Sequence, residues 1–387
     1  MSDSKVVWLI PSLGRGATGY PWHPVLKAFC QRFPQTQIFT TRWPGFASGY
    51  EDSFSVSTVG KPLEGKFLKD KDSREYGAGF MRLPLSIIGD LLQIRPDVII
   101  TKAFSVWTAI AIFYKLLFKS KVVIAYEGSS PKVNYQKSWM RSSYRKLLAG
   151  AADAFVTNTQ SGKAYLSEAL GASQNSVFVH PYEIASPHLL FESEQAIATE
   201  TTDKKPIFIT VGQLIPRKGV NYLLDACVLL KERGIEEYKL LIAGNGPQQA
   251  ELEAFVEQQG LRSQIAFLGW VDYSSLGHYF EAADVFVFPT LADTWGLVTL
   301  EAMAIGKPAI CSKHAGSAEM IVDDENGYVV EPQAVSSLAD AMEKFILNPG
   351  LADEMGKRAQ QSMAQYTPET VAQFLEDAVN FTVHRRE

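Results

Sequence analysis

The 387-residue chain predicts an α/β protein built as two Rossmann-like domains facing a cleft. Three observations carry this. Short apolar stretches rich in Val, Ile and Phe alternate with helical patterns along the whole chain, the mark of parallel sheets covered by helices. The length exceeds what one hydrophobic core usually holds and suits two domains of about 150–200 residues. A polar stretch at 186–205 separates two halves of like architecture. The predicted division is therefore 1–185 for the N-terminal domain, 186–205 for a linker, 206–366 for a second domain and 367–387 for a C-terminal helix.

Residues 5–10 read as the first strand and 24–32 as the first helix. Between them Gly14, Gly16 and Gly19 satisfy G-x-G-x-x-G after a strand. A dinucleotide site needs an acidic residue after the second strand, here 36–41, but Arg42 stands there. Arginine fits a 2′-phosphate, so an NADP-dependent oxidoreductase using the Gly14–Gly19 loop is one reading. Pro21 and Pro24 oppose it, because they interrupt a helix directly after the third glycine. Residues 43–80 are glycine-rich and read as irregular, with one or two short strands. Asp70 and Asp72 form a D-x-D among alternating charges with no strand before it, which reads as a solvated loop rather than a metal site. A helix at 84–94, a strand after Arg95, a helix at 104–119 and a strand at 121–126 continue the alternation. Glu127 then stands at the carboxyl end of a strand, where open α/β sheets hold ligands. It reads either as a site residue or as a structural carboxylate capping 128–130. Lys137, Arg141 and Arg145 share a helical face, interleaved with Tyr135, Trp139 and Tyr144. That face is either a solvated basic helix or a contact for anionic lipid head groups or a phosphate-bearing acceptor. Strands at 154–158 and 177–179 flank a helix at 161–170.

The second half opens with a strand at 206–211. Gly212, Arg217, Lys218 and Gly219 follow in a loop before a helix beginning near Val220. Strands at 239–243 and 264–268 come next, the latter ending at Leu268-Gly269-Trp270. Residues 284–288 are a short apolar strand closed by Pro289. A loop, 290–296, leads to a helix at 297–305 that stops at Gly306. This strand–loop–helix unit leaves the backbone N–H groups of Gly296, Leu297 and Val298 directed at the loop, a ready site for phosphate. Asp293 and Glu301 are eight residues apart and can face one crevice. A carboxylate on such a helix grips hydroxyls, a ribose diol for instance, by charge-assisted hydrogen bonds. The apolar neighbours Leu300, Ala302, Met303 and Ala304 speak against simple solvation of Glu301. Helices at 331–347, 351–366 and 368–383 complete the chain, the last with Thr367 as cap and Pro368 in its first turn.

Composition limits the function. Apolar residues make up 46%, as in ordinary globular chains. Cys30, Cys227 and Cys311 are far apart, with no C-x-x-C, so neither a disulfide framework nor a zinc site is expected. No signal peptide or membrane-spanning run is expected, and the predicted location is the cytoplasm. The halves differ in charge. Residues 1–200 hold 22 basic and 16 acidic side chains, and the rest hold 15 and 26. A basic N-terminal half points to an anionic partner or surface. Nucleic acid is not expected, since the chain as a whole is acidic and shows no nucleic-acid module.

The Asp293-x7-Glu301 segment, the Gly212-x4-Arg217-Lys218-Gly219 element and the run 306–330 resemble retaining nucleotide-sugar glycosyltransferases of the GT-B fold, glycosyltransferase family 4. The resemblance covers roughly 205–345 strongly and the N-terminal half weakly. It implies a nucleoside diphosphate sugar as donor, no metal and no cofactor, and a glycan or lipid-linked hydroxyl as acceptor. Arg217 and Lys218 would clamp the leaving diphosphate with Gly212 and the helix start at Gly296, Leu297 and Val298. Glu301 would hold the ribose and Asp293 the sugar hydroxyls. Leu268 and Trp270 would lie near the base, and Gly16 near the donor phosphate or the acceptor. Two departures stand out. Asp293 is one methylene shorter than the family's Glu, and Glu127 occupies a position that typically carries His. Glu127 could bind a sugar hydroxyl or orient the acceptor hydroxyl. The departures also fit a GT-B protein that only binds a partner, and a sugar-nucleotide epimerase of this fold is a further reading. The resemblance also implies a last helix that crosses back to the N-terminal domain, and peripheral contact with the inner membrane face is expected through Lys137, Arg141 and Arg145.

Overall fold

Hydrogen-bonded ladders divide the chain into two parallel sheets. The computed structural model describes residues 3–13, 21–59, 86–130, 138–193, 206–348 and 350–384. The Gly14–Gly19 loop, Lys137 and the Asp70/Asp72 pair lie outside these residues. Two compact units result, Met1–Glu183 joined by Tyr366–Glu387, and Ile184–Gln365.

The first unit runs β1 (Val6–Leu9), α1 (Trp22–Arg32), β2 (Thr36–Thr40), β3 (Ser55–Thr58), α2 (Ser86–Ile94), β4 (Val98–Lys102), α3 (Val106–Phe118), β5 (Lys121–Tyr126), α4 (Trp139–Ala151), β6 (Ala154–Thr157), α5 (Gln160–Ala164) and β7 (Val177–Val179). All pairings are parallel, in the order β3-β2-β1-β4-β5-β6-β7. The central strands are apolar on both faces because helices cover both faces. Val7, Ile99, Val122 and Ile124 pack with Trp107 and Phe155 into one core. Ser105 caps α3 by accepting from the Thr108 N–H.

The second unit runs β8 (Ile207–Val211), α6 (Val220–Glu232), β9 (Lys239–Ala243), α7 (Gln249–Gln258), β10 (Ile265–Gly269), α8 (Leu276–Ala282), β11 (Val285–Phe288), α9 (Leu297–Ala304), β12 (Ala309–Ser312), β13 (Gly327–Val330), α10 (Val335–Leu347) and α11 (Leu351–Met363). Its sheet is β10-β9-β8-β11-β12-β13, again parallel. Both sheets therefore reverse direction of growth at one point, between β1 and β4 and between β8 and β11. Such points hold ligands beyond the strand carboxyl ends.

α12 (Pro368–His384) packs within the first unit. Phe381 meets Phe178 edge-on, Phe374 stacks on His180, and Arg32 of α1 bonds Gln373 and pairs with Glu376. The start of the polar stretch, read above as linker, is ordered in the second unit. Leu189 and Leu190 are buried there, and Ser193 donates its N–H to the Ser274 carbonyl. Three adjacent apolar residues, Leu189, Leu190 and Phe191, in a polar run set no helix or strand period that would reveal this.

Candidate functional site

The loop after β8 and the loop after β11 are built onto each other. Gly219 has a left-handed backbone, φ 69°, and a side chain there would overlap the Pro289 carbonyl oxygen. The Arg217 carbonyl accepts the Leu291 N–H at 2.8 Å and the Thr290 hydroxyl at 3.1 Å. Leu214 and Ile215 are buried beneath and anchor the first loop. These contacts bring three charges together at the switch point of the second sheet.

Asp293 accepts from Lys218 Nζ at 2.7 Å and from Arg217 Nη1 at 3.2 Å. The same guanidinium donates to the Ala292 carbonyl at 2.7 Å. Lys218 runs over Gly212 and sets its ammonium 4.7 Å from the Phe288 ring centre. Burial alone would raise the Asp293 carboxyl, but the Lys218 charge and then Arg217 outweigh it and hold its pKa below the ordinary value. The family resemblance implies Arg217 and Lys218 as phosphate cations and Asp293 as a sugar ligand. The structure adds that the three form one ion cluster with a net charge of one positive.

Gly296 begins α9 beside this cluster. It has φ 85°, and an added Cβ would lie 2.7 Å from Phe288 Cε1 and 2.9 Å from Ser317 Oγ. Only glycine fits both the backbone and the space. With no side chain at the cap, the first turn at Leu297 and Val298 lacks a side-chain acceptor for its N–H groups. The macrodipole adds positive potential there.

Glu301 lies farther along α9 and is 1% exposed. Tyr273, 28 residues upstream, donates its hydroxyl to Glu301 Oε1 at 2.7 Å. Burial pushes the carboxyl up to about 7, with Tyr273 opposing the shift. A carboxylate has more acceptor capacity than one hydroxyl fills. Leu268 is half-buried in β10 and Trp270 is 71% exposed, so Trp270 is not a core residue. Tyr273 escaped sequence reading because nothing local links it to Glu301.

The first unit holds a second cluster at the carboxyl ends of β4 and β5. Lys102 Nζ meets Glu127 at 2.5 Å and Glu183 at 3.1 Å, and lies 5.5 Å from the Trp22 ring. Burial and the Glu127 charge push Glu183 up to about 7, against the pull of Lys102. Asn158 Oδ1 holds this corner by accepting the Tyr182 N–H at 2.8 Å and the Glu183 N–H at 3.3 Å. Glu127 thus has a lysine partner rather than a purely local capping role. Lys102 was not singled out in the sequence, although a charge ending an apolar strand is the signal that singled out Glu127.

The expected basic row changes. Arg141 is exposed, but Arg145 is half-buried, donates to the Tyr165 hydroxyl at 3.0 Å and lies over the Phe104 ring at 5.5 Å. Its charge is directed into the unit because two aromatic rings stand within its reach. Among the described residues no group of His, Cys, Asp and Glu has the arrangement of a metal site, and no helix is long and apolar enough to cross a membrane.

Residues 192–362 match the family model "Glycosyl transferases group 1". The chain is 33% identical over 161 residues to an uncharacterized glycosyltransferase of Methanocaldococcus jannaschii, covering 42% of this chain and 41% of that protein. It is 30% identical over 157 residues to the alpha-D-kanosaminyltransferase of Streptomyces kanamyceticus, covering 41% and 40%. The matched part thus spans about two fifths of these relatives' length. The crystal structure of Anabaena HepE in complex with UDP superposes with a TM-score of 0.73 at 16% identity, over 97% of this chain and 99% of that one. That likeness covers both units and shows a shared fold.

Proposed function

We propose that this chain is a retaining glycosyltransferase of family 4 that moves a sugar from a nucleoside diphosphate sugar to an acceptor hydroxyl. The observation that carries the reading is the Arg217–Lys218–Asp293 cluster lying beside the uncapped start of α9. The departing diphosphate gains negative charge as the glycosidic bond breaks, and fixed cations there stabilise the transition state more than the ground state. Arg217 supplies a planar fork and Lys218 a point charge. Together with the α9 N–H groups they provide the positive charge that other enzymes draw from a metal, so the proposed reaction is metal-independent. The match to the group 1 model contains every one of these residues.

In this reading Glu301 grips the ribose and Tyr273 orients it. Asp293 restrains the two cations before the donor binds and then meets the sugar hydroxyls. Leu268 and Trp270 flank the base. Glu127, held by Lys102, serves the acceptor hydroxyl, which belongs to a glycan or a lipid-linked sugar. Calorimetric binding of UDP, GDP, ADP and NADP to the wild type and to Glu301→Ala tests the assignment.

A further inference from the structure

The outer faces of α3 and α4 are unlike the rest of the surface. Nine of the fourteen exposed large apolar side chains among the described residues lie on these two helices. Phe113, Leu116 and Leu117 project from α3, and Trp139, Met140 and Leu147 from α4, each 57–77% exposed. The two helices form one surface. Tyr144 of α4 donates to the Ser105 carbonyl at the start of α3 at 3.1 Å, and Lys115 of α3 donates to the Ala151 carbonyl at the end of α4 at 2.8 Å. α3 turns Trp107, Ala111 and Tyr114 inward and is apolar outward as well. A helix apolar all round belongs inside a protein or against lipid, and an exposed apolar patch marks a contact surface.

The charge pattern names the occupant. Neither α3 nor α4 contains an Asp or Glu. Lys119, Arg141 and Lys146 are exposed among the apolar residues. We propose that the α3–α4 face docks on the anionic phospholipid surface of a membrane, with Leu116, Trp139 and Leu147 entering the interface and Lys119, Arg141 and Lys146 meeting the phosphates. Tryptophan favours that depth, and the lysine stems lie along the apolar boundary while their ammonium groups reach head groups. A second copy of the chain is a poorer occupant, since a two-fold contact would press like charges together.

The test uses the full-length chain and vesicles of phosphatidylcholine alone or mixed equally with phosphatidylglycerol, read by co-sedimentation. The wild type is expected on the anionic vesicles and not on the neutral ones. Binding should fall on raising salt from about 0.1 M to about 0.5 M. Leu116→Glu with Leu147→Glu should lower partitioning about tenfold or more, and Arg141→Glu with Lys146→Glu should remove the preference for anionic lipid. Circular dichroism and melting should stay at wild-type values, because the changed side chains are exposed. Failure of the wild type to bind anionic vesicles would overturn the proposal, as would wild-type binding by the Leu116→Glu/Leu147→Glu variant. A concentration-dependent dimer broken by those two changes, without vesicle binding, would give the face to self-association instead.

Discussion

Lys218 Nζ lies 2.7 Å from Asp293 Oδ2 although 75 residues of chain separate them. A buried carboxylate between a lysine and an arginine is the resident counter-ion of a site that otherwise collects positive charge. It keeps both cations in place, and in the proposed reading it does so before the donor diphosphate binds.

Asp293→Asn should therefore destabilise the protein at neutral pH by about 1–3 kcal/mol, because two part-buried cations lose their shared counter-charge. On the proposed reading a nucleoside diphosphate would replace the missing anion, so it should raise the melting temperature of the variant more than that of the wild type. Equal ligand-induced shifts would contradict the counter-ion role. The Asp293 carboxyl is held below its ordinary value. Its contribution is present above that ordinary value and is lost as pH falls through the lower folded one, and Asn should remove this acid limb.

Gly296→Ala should place a methyl against Phe288 and Ser317 in a left-handed backbone. The expected cost is about 1–3 kcal/mol of stability. Displacement of the first turn of α9 should also weaken diphosphate binding relative to the nucleoside. Unchanged diphosphate affinity in a stably folded variant would remove the helix start from the site.

Glu301 is pushed up to about 7 by burial, against an ordinary value of 4.5. The folded state then holds an extra proton between those values, so wild-type stability should fall as pH rises from about 4.5 to about 7 and level beyond. Glu301→Gln should lack this slope. Because ribose hydroxyls donate to the charged form, nucleotide affinity should rise as pH passes about 7 in the wild type and stay flat in Glu301→Gln. Parallel pH profiles would contradict a ribose role for Glu301.

Much of this is legible in the sequence. Strands such as 284–288 announce themselves because a parallel sheet buried on both faces needs unbroken apolar runs. The α9 start was marked by Pro289 and Gly296, whose backbone roles are local. β12 and β13 were not singled out, because four-residue strands inside the 306–330 run carry little periodicity. The ion pairs were beyond reach for another reason. That Lys218 meets Asp293, that Tyr273 meets Glu301 and that Lys102 bridges Glu127 and Glu183 follows from how distant strand ends are brought together, which no local pattern records. Arg145 shows the converse: helical spacing placed it on a basic face, but Tyr165 and Phe104 draw it inward.

The most direct measurement is calorimetric titration of the purified protein with UDP, GDP, ADP and NADP, repeated with Glu301→Ala. The account predicts that one nucleoside diphosphate binds and that Glu301→Ala weakens it by roughly 1.5–3 kcal/mol. NADP binding that survives the substitution, with no diphosphate bound, would contradict it and move the site to the Gly14–Gly19 loop.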